Sequence, residues 1–254
     1  VPGISPVAIA GDTCVKQGHN FLYVKRTPLN EVVVVFRDRA EAGRLLAEKL
    51  ESYRGDPSGL ILALPRGGVA VGYELSVSLR LALDVFVTRK LSTPDNPEYA
   101  IGALSETGAL YLNPEAVEAF RLSHADLETI IDNERQELAR RQQLYRHGLP
   151  LAPIRDKTVI LVDDGIATGA TFFATIEAVR KLSPRRLIAA IPVAPLDSLA
   201  LVRNRVDELI VIATPEPFMA VGHHYHNFTQ VDDAQVMAYL KAARQSESAQ
   251  TASG

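Results

Sequence analysis

VILVDDGIATGAT, residues 159–171, decides how the rest of the chain is read. Val159 to Val162 form an apolar run without polar alternation, the pattern of a strand covered on both faces. Two carboxylates follow at once, Asp163 and Asp164, and then a loop holding Gly165, Ala167, Thr168, Gly169 and Thr171. From Thr171 the pattern turns helical through Phe172, Phe173, Ile176 and Val179, until Ser183-Pro184 stops it. Glycines at such a turn let backbone N–H groups converge, threonine hydroxyls add donors, and the helix start supplies positive potential. That combination suits a monophosphate. An acidic pair beside it would repel the same phosphate, so it must face vicinal hydroxyls or a Mg²⁺ that those hydroxyls share. A 5-phosphate next to a 2,3-diol is a ribose 5-phosphate. A Walker A loop is excluded because no Gly-Lys-Ser/Thr follows the glycines, and no GxGxxG pattern occurs.

Working outward, Leu60 to Leu64 give a second buried strand, which runs into Pro65-Arg66-Gly67-Gly68 ahead of a helix begun by Val69, Val71 and Tyr73. Gly67 and Gly68 permit close approach of an anion to the backbone, and Arg66 offers charge-assisted hydrogen bonds. Residues 83–91, LDVFVTRKL, read as a third strand whose C-terminal end carries Arg89 and Lys90. Apolar strands are also expected at 31–36, 185–194 and 208–213, with helices at 38–53 (Asp38 as N-cap) and 195–205. This alternation predicts an α/β fold, a doubly wound, mainly parallel sheet of about five core strands, with the candidate loops on its C-terminal edge.

The remaining segments are less informative. Residues 1–30 read as a loose N-terminal extension with a short hairpin near Phe21 to Val24, and lone Cys14 and His19 are assigned no chemistry. Residues 92–108 have no clean period; Ser92 to Glu98 would be a mobile tip, and Ile101–Leu104 could pair with Ala109–Leu112. A helical insertion is expected at 114–148, with Pro114 in a first turn and Ser123 with Asp126 as a capping box. It reads better as a solvated cover for one end of the sheet than as a homodimer contact. His223, His224 and His226 invite a metal reading, but no carboxylate or cysteine stands at ligand spacing and the aromatic neighbours suit packing. Residues 232–243 would form a closing helix and 245–254 a disordered tail.

Composition sets bounds on function. Among 254 residues, 47% are hydrophobic and the formal net charge is −3, so a sizeable core is expected and a nucleic-acid surface is not. A single cysteine excludes an intrachain disulfide, and no apolar run approaches the roughly 20 residues needed to span a bilayer. No signal peptide is visible, and a cytoplasmic protein without a membrane partner is expected.

The apolar run, acidic pair and TG-containing loop at 159–171, preceded by a strand-RGG turn, resemble the PRPP-binding motif of the type I phosphoribosyltransferases. The resemblance implies a phosphoribosyltransferase domain over 31–244 and transfer of the 5-phosphoribosyl group from PRPP to a nitrogen nucleophile, with release of pyrophosphate and Mg²⁺ as cofactor. It assigns Asp163 and Asp164 to the ribose hydroxyls and the Mg²⁺ environment. Gly165, Ala167, Thr168, Gly169 and Thr171 go to the 5-phosphate, and Arg66, Gly67, Gly68, Arg89 and Lys90 to the diphosphate. Residues 92–108 match the family's flexible catalytic loop, and 214–244 its hood, where Phe218, Val221, Tyr225 and Phe228 would wall or stack on a base. Family members that act on 6-oxopurines carry an Asp where this chain has Ala167, which argues against such an acceptor. The alternative is a non-catalytic PRPP- or nucleotide-binding regulator of the same fold. No helix-turn-helix or basic segment points to DNA.

Overall fold

The computed structural model describes residues 7–9, 12–17, 20–26 and 32–251, with side chains for 35–96 and 99–248. Its centre is a five-stranded sheet of β5 (Gly59–Ala63), β6 (Ala82–Val85), β10 (Thr158–Val162), β11 (Arg186–Val193) and β12 (Glu208–Ala213). The spatial order is β12-β11-β10-β5-β6, and every pair is parallel. Alternate residues feed two cores. Ile61, Ala63, Ile160 and Val162 pack against α1 (Arg39–Lys49), α2 (Gly67–Leu79) and α7 (Asp233–Thr251). Leu60, Leu62, Val159 and Leu161 pack against α5 (Ala170–Lys181) and α6 (Leu196–Arg203). Both faces are therefore covered, which is why β10 is apolar at consecutive positions.

Two smaller sheets flank this core. β1 (Val7–Ile9), β2 (Asp12–Gln17), β3 (Asn20–Arg26) and β4 (Val32–Val35) form an antiparallel meander. Three of its strands lie where the sequence suggests a loose extension, and β4 joins this meander instead of the parallel sheet. Position 19 lies outside the described residues. A second antiparallel sheet contains β7 (Thr88–Thr93), β8 (Asn96–Ser105) and β9 (Leu110–Leu112). The expected hairpin is present, pairing Gly102 with Leu112 and Leu104 with Leu110. The segment expected to be a flexible loop is thus largely sheet.

The run 83–91 is not one strand. It leaves the parallel sheet at Val85, passes through the buried Phe86 and Val87, and re-enters β structure at Thr88 in a different sheet. Two helices follow, α3 (Pro114–Ala119) and α4 (His124–Arg146), and Ser123 with Asp126 forms a full capping box. The last turn of α4 is anchored by Arg146, 3% exposed, whose Nε donates to Asp84 Oδ1 at 3.2 Å and Nη2 to Glu106 Oε1 at 2.8 Å. The last helix, α7, runs to Thr251, well past the expected stop at 243, because no Gly or Pro interrupts the chain before Gly254. No helix among the described residues is long and apolar enough to cross a membrane.

Candidate active site

In an open α/β sheet the ligand crevice lies where the winding direction reverses, outside the C-terminal strand ends. Here β5 leads on to β6 on one side, while β10 leads to β11 on the other, so the reversal lies between β5 and β10. These two strands pair in register from Thr158–Gly59 to Val162–Ala63. The Arg66-Gly67-Gly68 turn and the Asp163-Asp164 pair therefore leave the sheet side by side.

They pack in direct contact. A Cβ on Gly67 would lie 1.9 Å from Asp164 Oδ2, and one on Gly68 would lie 2.9 Å from both the Asp163 Cα and the Val162 carbonyl. Only glycine lets the two turns close to this distance. Two helix starts, those of α2 and α5, open onto the same edge, and neither has a side-chain cap bond. Helix starts without side-chain caps bind anions elsewhere; in α2, Val69 N is already bonded to Arg66 O at 3.1 Å. The loop between Asp164 and α5 is held from behind: Ile166 N donates to Val193 O at 3.0 Å, and Ser198 Oγ donates to Ala167 O at 2.5 Å. Gly169 has φ +79°, and Ala167 and Thr168 are exposed.

The acidic pair is electrostatically costly. Burial, and then the neighbouring Asp164 charge, push the Asp163 carboxyl well above the usual range. Burial also raises Asp164, against the opposing pull of Arg39. One Asp163 oxygen, Oδ1, accepts the Asp164 N–H at 2.8 Å. The pair thus sets carboxyl oxygens beside a single cation, Arg39, and Mg²⁺, or a sugar diol donating to them, would favour their charged forms. Among the described residues, no group of three or more His, Cys, Asp or Glu is arranged to hold a metal, the histidines at 223, 224 and 226 included.

The structure places several residues singled out in the sequence in surroundings other than those expected. Arg89 and Lys90 do not form a pair at a parallel strand end; they lie on β7, where successive side chains point to opposite faces. Arg89 Nε is bound to Glu134 of α4 at 2.6 Å. Thr88, on the opposite face, meets Thr175 of α5 with 2.7 Å between hydroxyl oxygens, so only Lys90 shares the α5 side. Tyr225, expected to wall or stack on a base, packs against protein in each of its contacts. It is 6% exposed, its ring tilts against Phe36 at 5.2 Å, and its hydroxyl donates to Asp164 O at 2.6 Å. Val221 packs into the notch at Gly165, where a Cβ would meet Val221 Cγ1 at 2.5 Å. Phe218 is stacked on His224, with centroids 5.6 Å apart and an interplanar angle of 19°.

Sequence reasoning missed Arg39. Its Nε donates to Asp164 Oδ2 at 2.7 Å, although 125 positions separate the two residues. One signal was available: Arg39 is the first residue of α1, where the helix dipole disfavours a cation.

A doubly wound domain with two helix starts that lack side-chain caps and an acidic pair at its switch point is the class defined by this geometry. The chain belongs to the family of the phosphoribosyl transferase domain, whose model matches residues 38–222. A Mycobacterium tuberculosis (strain H37Rv) protein named "Putative phosphoribosyl transferase Rv0571c" is 40% identical over 209 residues, 82% of this chain. Those residues make up 47% of the relative, so the chain spans about half its length. The crystal structure of TT1426 from Thermus thermophilus is 40% identical with a TM-score of 0.68, covering 81% of this chain and 97% of that one.

Proposed function

We propose that this chain transfers the 5-phosphoribosyl group of PRPP to a nitrogen nucleophile, a nucleobase, with release of pyrophosphate. The observation that carries this reading is the packing of the Gly67-Gly68 turn against Asp163 and Asp164, between two helix starts without side-chain caps. Asp163 and Asp164 hold the ribose hydroxyls. The backbone of Gly165, Ala167, Thr168 and Gly169, with the Thr168 and Thr171 hydroxyls, takes the 5-phosphate. Arg66, Gly67 and Gly68 take the diphosphate, with Lys90 as the second cation. Asp163 and Asp164 would hold Mg²⁺ through the ribose hydroxyls or water, and the ion would supply charge neutralisation to the diphosphate. The C1–oxygen bond breaks toward the diphosphate as the nitrogen lone pair closes on C1. Positive charge builds on the sugar ring and negative charge on the leaving group, so preorganised N–H donors and Arg66 lower the barrier. β7 to β9 flank this edge and would exclude water. Ala167 offers no acid or base to an acceptor, which disfavours a 6-oxopurine.

Pyrophosphate release, followed with PRPP, Mg²⁺ and a panel of purine and pyrimidine bases, is the test. Release with one class of base is expected. Silence across the panel with tight PRPP binding retained would favour the second reading, a regulatory PRPP- or nucleotide-binding protein. One observation favours that alternative: Glu134 already occupies Arg89, which removes a cation from the diphosphate side.

A further inference from the structure

Arg39 joins three parts of the molecule. Its Nε reaches Asp164, its Nη1 donates to the carbonyl of Thr229 at 2.8 Å, and its guanidinium carbon lies 3.9 Å above the centre of the Phe228 ring. Its Nε also lies 3.1 Å from where a Gly67 Cβ would be, at the edge of the Arg66 turn. The Arg39 and Asp164 side chains are 11% and 15% exposed, which separates this contact from the solvent-screened pairs on the surface of α4. Helix stability does not explain an arginine here, because the α1 dipole opposes it and Asp38 already caps Glu41 N. The bonded set is instead an in-plane fork between a carboxylate and a carbonyl, with an aromatic ring on one face, a geometry that arginine makes and lysine cannot.

We propose that Arg39 is a positioning residue that couples the acid pair to segment 225–229, so that a sugar diol gripped by Asp163 and Asp164 tightens that segment over the crevice. This rests on the assignment of the acid pair to a ribose diol. Tyr225 anchors one end of the segment, its hydroxyl donating to Asp164 O at 2.6 Å and its N–H to Gly222 O at 3.2 Å. Beyond it, His226 N donates to Phe36 O at 2.8 Å, Asn227 N to Arg37 O at 2.9 Å, and Thr229 N and Oγ1 reach Asn227 Oδ1 at 3.1 and 2.6 Å. At 228–229, therefore, Arg39 supplies the contacts to the rest of the site. Arg39 lies two residues beyond Arg37, which with Phe36 accepts the His226 and Asn227 bonds, so the same short stretch carries both the clamp and the ladder.

Hydrogen–deuterium exchange on the full chain tests the coupling, with ribose 5-phosphate and Mg²⁺ as the probe. Without ligand, Arg39→Met is expected to speed exchange of the 225–229 amides about tenfold or more while β10 stays unchanged. Unaltered exchange at 225–229 overturns the proposal. With ligand, the wild type is expected to gain protection at both 163–169 and 225–229, whereas Arg39→Met gains it only at 163–169 and Arg39→Lys restores part of the rest. Protection at both places in Arg39→Met overturns the coupling. Protection at neither in the wild type overturns the diol assignment and the ligand half of this proposal, and the ligand-free comparison still decides the clamp. Should Arg39→Met fail to fold, Phe228→Leu removes the ring from the guanidinium while leaving both Arg39 hydrogen bonds in place, and Tyr225→Leu, which removes the other ring that Phe228 touches, is the control. Faster exchange at 225–229 in Phe228→Leu supports the clamp, and an unchanged rate overturns it.

Discussion

The phenol of Tyr225 donates to the backbone carbonyl of Asp164, tying the segment after the last core strand to the residue that faces the crevice. Tyr225→Phe keeps the ring against Phe36 and leaves that carbonyl without its donor. A loss of about 1–2 kcal/mol is expected, a fall in melting temperature of about 3–6 °C by calorimetry. An unchanged melting temperature would show that water replaces the phenol.

Gly67→Ala places a methyl group against the Asp164 carboxylate. Because the obstructing atoms end a side chain, the carboxylate can swing aside, but only by giving up its 2.7 Å bond to Arg39. The substitution is expected to cost about 1–2 kcal/mol of stability and to weaken PRPP binding about tenfold or more, which calorimetric titration reads directly.

Asp163→Asn should separate stability from binding. A carboxyl whose pKa is raised on folding binds protons more tightly in the native state, so wild-type stability falls as pH rises from the ordinary carboxylate value of about 4 toward the raised one. The asparagine variant lacks that loss. It should melt a few degrees above the wild type at pH 7, on the order of 1 kcal/mol, with the gap closing below about pH 4. Asp163→Asn combined with Asp164→Asn should stay folded and abolish Mg²⁺-dependent PRPP binding; undiminished affinity in that double variant would refute the assignment.

Arg146→Met strands two buried carboxylates, Asp84 and Glu106, at the junction of β6, α4 and the β7–β9 sheet. Breaking one side of such a cluster costs about 3–5 kcal/mol, measurable as a shifted urea midpoint. Adding Glu106→Gln to Arg146→Met should recover part of the loss.

The parallel sheet and its switch point were legible because β5, β10 and β11 are unbroken apolar runs, and a strand covered on both faces has no other way to read. The acid pair and the Arg66-Gly67-Gly68 turn were legible for a related reason: each follows such a run directly. LDVFVTRKL misled because nothing in it punctuates the chain, and the change of sheet at Phe86–Val87 is made by burial, not by a turn residue. That hid the opposite orientations of Arg89 and Lys90. Tyr225 looked like a wall residue among aromatics and histidines. Its actual partners, Phe36 and the Asp164 carbonyl, lie far away in sequence, as does the aspartate bound by Arg39. Local pattern cannot encode contacts of that span.

The parallel bridge between Phe36 and Tyr225 bears on how the protein should be cut for experiments. The region matched by the family model, 38–222, stops short of both residues, and of Phe228 and Thr229 as well. A recombinant fragment trimmed to those boundaries would keep the aspartates and discard the struts that orient them. Weak activity from such a fragment would say more about the scissors than about the protein.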